Sequence, residues 1–244
     1  MSGFGNAARM EWIKLRGLRS TWWTLAVTAA AATGIGIGAG AGTTAGAKDV
    51  TNNVLSGVAV GLLLIGTLGV VTMSGEYSSG AIRATLAAVP NRIRLLLAKV
   101  AVFGAVAFGF GELAALIAFT GGRASLRAGV PVPSLTGASL RAVVLAGAGI
   151  CLVGLIGLGI GVIVRHTAPA MAVMVGGVYV ATMVFGGLTQ HAIGYLPVAI
   201  VANSLCAVHV EPGFLQPWPA LGVLALYAAL LLATGGWLLI RRDA

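Results

Sequence analysis

Six stretches of this chain are long and apolar enough to cross a bilayer, at about 22–42, 54–74, 96–119, 140–164, 168–188 and 218–240. Each approaches or exceeds the roughly 20 residues that a helix needs to span a hydrocarbon core of about 30 Å. A further apolar stretch, about 192–208, is interrupted by Gly194, Pro197 and Asn203. Its length predicts a re-entrant or interfacial segment before the last span, outside the count of six. The expected fold is all-α: one transmembrane domain over 1–244, with six spans preceded by a leader over about 1–21.

Composition strengthens this reading. The chain is 58% hydrophobic and only 9% charged, with a mean hydropathy of +0.99, whereas soluble domains are roughly 25% charged. A water-soluble enzyme is thereby excluded. Fifteen Lys and Arg against six acids give a net charge of +9, which raises nucleic acid or an acidic membrane surface as partner. The charges lie between apolar runs instead of forming one patch, which favours membrane lipids and no nucleic acid. Cys151 and Cys206 form neither a disulfide framework nor a metal pattern and read as small apolar residues.

Charge asymmetry predicts orientation. A cytoplasmic N-terminus places Arg9, Lys14, Arg16, Arg19, Arg83, Arg92, Arg94, Lys99, Arg165, Arg241 and Arg242 inside, and Lys48, Arg123, Arg127 and Arg141 outside, which is 11 against 4. The positive-inside rule then puts both termini in the cytoplasm of a multi-pass membrane protein. A signal peptide fits less well, because the leader contains Glu11 and Trp12 and the run from Trp22 to Gly42 exceeds the usual core of about 7–15 residues. Trp22 and Trp23 stand where an aromatic belt anchors a span. Within the leader, most of the apolar group Met10, Ile13, Leu15 and Leu18 is expected to face the bilayer and Arg9, Lys14, Arg16 and Arg19 lipid phosphates and solvent, as in an interfacial helix. The alternative is a mere orientation signal.

Several patterns carry no chemistry. The 37 glycines predict close helix approach through faces such as Gly34/Gly38/Gly42, Gly57/Gly61 and Gly157/Gly161. Gly36–Ala41 and Gly109–Ala114 match the letters of a dinucleotide-binding loop but lie in no soluble strand-turn-helix unit. None of Lys14, Lys48 and Lys99 follows a glycine, so no phosphate-cradling loop is present and ATP hydrolysis by that route is excluded. His166, His191 and His209 are too far apart in sequence to suggest a local metal site. In the predicted membrane core only Glu112 is clearly ionisable, and it must face a partner or a water-filled cavity. A packing role, with Arg141 as one candidate partner, is favoured over substrate or proton contact.

The loop between the second and third spans, Gly75 to Arg94, is the most informative segment. Ser78 or Ser79 can cap a short helix through about Ala88, Pro90 stops it, and Arg92, Arg94 and Lys99 anchor the return into the membrane. Glu76, Gly80, Leu86, Pro90, Arg92 and Lys99 resemble the E-x-x-x-G…L…P-x-R…K loop of the bacterial ABC-2-like permease family, the membrane subunits of type-2 ATP-binding-cassette exporters. Glu11, Lys14, Arg19 and Ser20 resemble that family's leader pattern, and six spans with a longer segment before the last complete the likeness.

The resemblance implies an exporter permease, a dimer and most simply a homodimer, working with two copies of a separate cytoplasmic ATPase in a bacterial cell membrane. ATP and Mg would bind to that partner, leaving this chain without a cofactor and non-catalytic. Glu76, Tyr77, Gly80, Arg83, Leu86, Pro90 and Arg92 would form the ATPase-coupling loop over 75–94. Glu11, Lys14 and Arg19 would belong to the interfacial helix beside it, and the segment before the last span would help form an external gate. Two other classes stay open: a non-transporting immunity or sensor subunit, and an ion-coupled secondary transporter. No substrate-defining signature is present, and Arg exceeds Lys by 12 to 3, as in a high-G+C bacterial genome.

Overall fold

Gly, Pro, Asp and Asn at the ends of the apolar runs set where the helices start and stop. A computed structural model of the chain describes residues 2–44, 46–182, 184, 194–205 and 214–241. Its helices are α1 (Ser2–Gly17), α2 (Arg19–Gly42), α3 (Val50–Val54), α4 (Val58–Ser78), α5 (Ala81–Ala88), α6 (Arg92–Ala124), α7 (Gly137–Val164), α8 (Thr167–Val173), α9 (Pro197–Ser204) and α10 (Pro217–Arg241), and α8 continues into a π-helical segment, Met174–Val180. Asp49 and Asn91 cap α3 and α6 by accepting hydrogen bonds from the backbone N–H of Asn52 and Arg94 at 3.0 and 2.9 Å. Pro197 and Pro217 open their helices, where a missing N–H costs nothing.

Among the described residues, five helices are long and apolar enough to cross a membrane: α2, α4, α6, α7 and α10. They correspond to five of the six predicted spans. The stretch expected to form the other, 168–188, is helical over Thr167–Val180 as a shorter apolar element, and residues 183 and 185–188 lie outside the described residues. So do Cys206, His191, His209 and Arg242. The segment expected before the last span contains α9, seated against α7 and α10, with Asn203 donating from its amide to the Leu215 carbonyl at 3.0 Å.

Helix α7 forms the centre. In its most apolar window 78% of residues are buried, against 28% in α2, α6 and α10, and α4, α6 and α10 pack around it while α2 lies across α4 and α6. The α4–α7 seam needs glycine on both sides. A Cβ added at Gly157 would strike the Gly66 carbonyl, one at Gly69 would strike the Gly154 carbonyl, and one at Gly161 would come within 2.7 Å of the Val70 carbonyl. Gly57 is likewise pressed on Ala32, so the Gly57/Gly61 and Gly157/Gly161 faces do pack. The Gly34/Gly38/Gly42 face does not, since nothing lies within 4 Å of a Cβ there. Packing uses Gly36 and Gly40 instead, against Val54, Ala118 and Gly122. Two residues along a helix rotate a side chain by about 200°, so the pattern had the right spacing on the wrong face. Cys151 is buried, its thiol 3.4 Å from the Gly104 carbonyl, as expected of a small apolar residue.

The bundle has two distinct ends. At one, α1, α5, the start of α6 and the ends of α7 and α10 meet. At the other, α3, the 125–136 loop and α9 meet, with Thr51 and Ser139 hydroxyls 3.1 Å apart and the Ser125 hydroxyl donating to the Ile37 carbonyl at 2.9 Å. Trp218 and Trp237 are 61% and 51% exposed near opposite ends of α10. Their separation along its axis, about 28 Å at 1.5 Å per residue, matches a hydrocarbon core of about 30 Å flanked by aromatic belts.

Candidate functional site

The site grows from the burial pattern of α1. Ala7, Glu11 and Leu15 are 1%, 1% and 4% exposed, and their four-residue spacing makes one stripe, which docks on α6. The orientation expected for the leader is therefore corrected at two residues. Leu15 packs inside the bundle and Lys14 turns inward, because helical rotation that buries 7, 11 and 15 carries residue 14 to the buried side, while Ile13 and Leu18 stay exposed at the surface.

Turning inward brings Lys14 and Glu11 to Glu76, in the last turn of α4, and Lys99, near the start of α6. Lys99 Nζ donates to Glu11 Oε2 at 2.5 Å and to Glu76 Oε1 at 2.7 Å. Lys14 Nζ donates to Glu11 Oε1 at 3.1 Å, Glu76 Oε1 at 3.0 Å and Thr85 Oγ1 of α5 at 2.9 Å. Two carboxylates and two ammonium groups thus alternate in a closed square of zero net charge. The Lys99 and Glu11 side chains are each only 2% exposed, so each depends on the others for compensation of lost hydration. One square fastens the leader, two long helices and the short α5 together. A cavity of about 410 Å³ opens beside it, lined in part by Ser20, Thr72 and Ser79.

The rest of the predicted coupling loop is distributed around this square. Gly80 adopts φ 72 and ends α4, its N–H bonding the Tyr77 carbonyl at 3.1 Å. The expected serine cap is corrected here. Ser78 and Ser79 hydroxyls donate back to the Gly75 carbonyl at 3.2 and 2.7 Å, closing α4 instead of opening α5, because the left-handed turn at Gly80 separates them from it. Helix α5 then covers the expected residues and stops before Pro90. Ile82 and Thr85 are buried and Leu86 packs on the core, while Arg83, Ala84, Ala87 and Ala88 form an exposed face.

Arg92 Nη1 donates to the Leu239 carbonyl at 2.6 Å. Arg165, at φ 64 just past α7, donates to the Leu238 carbonyl at 3.3 Å and lies 5.1 Å from the Tyr77 ring centroid. Two guanidinium groups therefore cap the C-terminal carbonyls of α10, where positive charge is favoured, and tie the last helix to the loop. Arg19 begins α2, exposed and outside the square. Glu112 lies apart, in the middle of α6. Its carboxyl packs on Gly147 of α7, where an added Cβ would strike it. Glu112 Oε1 is buried without a hydrogen-bond partner, and no ion pair joins Glu112 to Arg141. Gly36–Ala41 and Gly109–Ala114 are continuous helix, so neither forms a nucleotide-binding turn.

Sequence reasoning missed Thr85, Arg165 and the union of leader with loop. A usable signal existed: in a chain with six acids, a glutamate on the apolar stripe of a leader requires a cation from elsewhere. Among the described residues no group of three or more His, Cys, Asp or Glu could hold a metal ion. What the arrangement can do is mechanical, since force on α5 reaches α1, α4 and α6 through the square and α10 through Arg92. Set against known proteins, the chain matches no family model and no curated sequence.

Proposed function

We propose that this chain is the membrane subunit of an ATP-driven exporter of the ABC-2-like kind, working as a dimer with two copies of a separate cytoplasmic ATPase that docks on α5. The observation that carries the reading is α5 itself: a short helix fixed on its inner side by Thr85 and the ion square, with Arg83, Ala84, Ala87 and Ala88 left open. Such a helix suits transmission, because its exposed face can take a partner while its buried face is wired to the spans. The loop and leader motifs add the family resemblance. In this reading ATP and Mg belong to the partner, the square end faces the cytoplasm, and Glu76 and Arg92 brace the loop from within, leaving Arg83 as the contact residue.

The test is a photo-crosslinking residue at position 83 in the tagged, membrane-embedded chain. It should capture a soluble protein that binds ATP, whereas the same probe at Val198 in α9 should not. Arg83→Glu should reduce co-purification of that ATPase about tenfold while leaving membrane insertion unchanged. Capture of no ATP-binding protein from position 83 rejects the exporter, and gradient-driven uptake without any ATPase would identify an ion-coupled carrier in its place.

A further inference from the structure

The cations of α1 do not share one environment. Lys14 is consumed by the ion square, but Arg9 and Arg16 point outward, and among the described residues neither guanidinium has a hydrogen-bond or ion-pair partner. With Trp12 they occupy positions i, i+3 and i+7, one stripe of the helix. That stripe borders a groove of about 770 Å³ between α1, the start of α2 and the outer face of α6. Trp22 closes its rim, its indole N–H donating to the Arg16 carbonyl at 3.0 Å. A smaller recess of about 530 Å³ shares Arg9, Trp12 and Arg16 with the groove.

The two spaces differ in chemistry. The smaller recess is flanked by two unspent guanidinium groups. The larger groove, beyond the same two arginines, is apolar and runs down α6 past Ala105 and Gly109 to Leu113. From Ala101 to Leu113 the axial rise is about 18 Å, slightly more than one leaflet of a hydrocarbon core about 30 Å thick. A cationic shelf that leads into an apolar trough of one leaflet's depth matches a molecule with a phosphate at one end and acyl chains at the other. An apolar partner helix would fill the trough and leave both guanidinium groups unanswered.

We propose that this groove is a binding site for an anionic phospholipid, its phosphate held between Arg9 and Arg16 and an acyl chain laid along α6. The inference rests on the membrane reading and is independent of the exporter proposal, since it requires neither an ATPase nor a substrate.

The experiment is native mass spectrometry of the purified full chain in detergent, titrated with phosphatidylglycerol or phosphatidylcholine of identical chains. One phosphatidylglycerol should be retained with a preference on the order of tenfold over phosphatidylcholine, as expected of two cations near one anionic headgroup. Arg9→Gln/Arg16→Gln should abolish that preference, and Arg9→Lys/Arg16→Lys should keep most of it. Ala105→Phe, which fills the trough, should lower retention of both lipids, and glycerol 3-phosphate should displace neither. Equal retention of the two lipids by the native chain overturns the proposal, as does a preference that survives the double Gln change. Displacement by glycerol 3-phosphate would mean a free-anion site instead. Loss of a dimer in Ala105→Phe with lipid retention unchanged would assign the groove to a second copy. Because Arg9 and Arg16 are exposed, the Gln and Lys variants leave the packed core intact.

Discussion

Lys99 is the residue on which the most depends. It is among the largest fully buried side chains and is bonded to both glutamates of the square. Removing one partner of a buried ion pair costs far more than the pair contributes, because the remaining charge stays desolvated. Lys99→Met should therefore lower stability by about 3–5 kcal/mol, read as a shift in the denaturation midpoint of the purified chain in detergent. Adding Glu11→Gln to it should recover part of the loss, since without Lys99 two carboxylates share Lys14 alone, and the second change removes that surplus negative charge and leaves the Lys14–Glu76 pair. A Lys99→Met protein within about 0.5 kcal/mol of the native chain would show that the square carries no stabilising role. At this scale the sequence named all four charged members but not their pairing. Lys14 and Glu76 are 62 residues apart and Glu11 and Lys99 are 88 apart, and no local spacing links groups so distant.

Among the helices, the α4–α7 seam and the outer face of α2 make a matched pair. Gly157→Ala would drive a methyl group into the Gly66 carbonyl, and backbone on both sides leaves nothing flexible to yield. A loss of about 1–3 kcal/mol is expected. Gly38→Ala meets nothing within 4 Å, and replacing a helical glycine by alanine favours the helix by roughly 0.5–1 kcal/mol, so that variant should melt at or above the native temperature. Thermal unfolding of the two proteins in one detergent checks both, and equal loss in each would disprove the assigned packing faces. The glycine spacing was legible in the sequence. Which register of α2 turned inward was not, because Gly34 and Gly36 carry the same information until a neighbour is placed beside them.

For the molecule as a whole, the two ends separate the charges. Among the described residues ten of the eleven cations expected inside gather at the end with the square, and Lys48, Arg123, Arg127 and Arg141 at the other. The positive-inside rule predicts the first end to be the cytoplasmic one, as proposed above. In a Cys151→Ala/Cys206→Ala background, a cysteine at Ser134 should react with a membrane-impermeant maleimide in intact cells, and one at Ser79 only after permeabilisation. Labelling of both in intact cells would overturn the orientation. The sequence by itself determined that the chain is helical, where five long apolar helices run and where the α4–α6 connection bends, because apolar length, Gly80, Pro90 and Asn91 act locally on the backbone. Only the tertiary structure decided that the leader lies against α6, that Glu11 and Lys14 complete the charge of Glu76 and Lys99, and that Arg92 and Arg165 cap the last helix. Those contacts join residues remote in sequence, and burial selects them: a charge withdrawn from water must find its opposite wherever the packed helices bring one within reach.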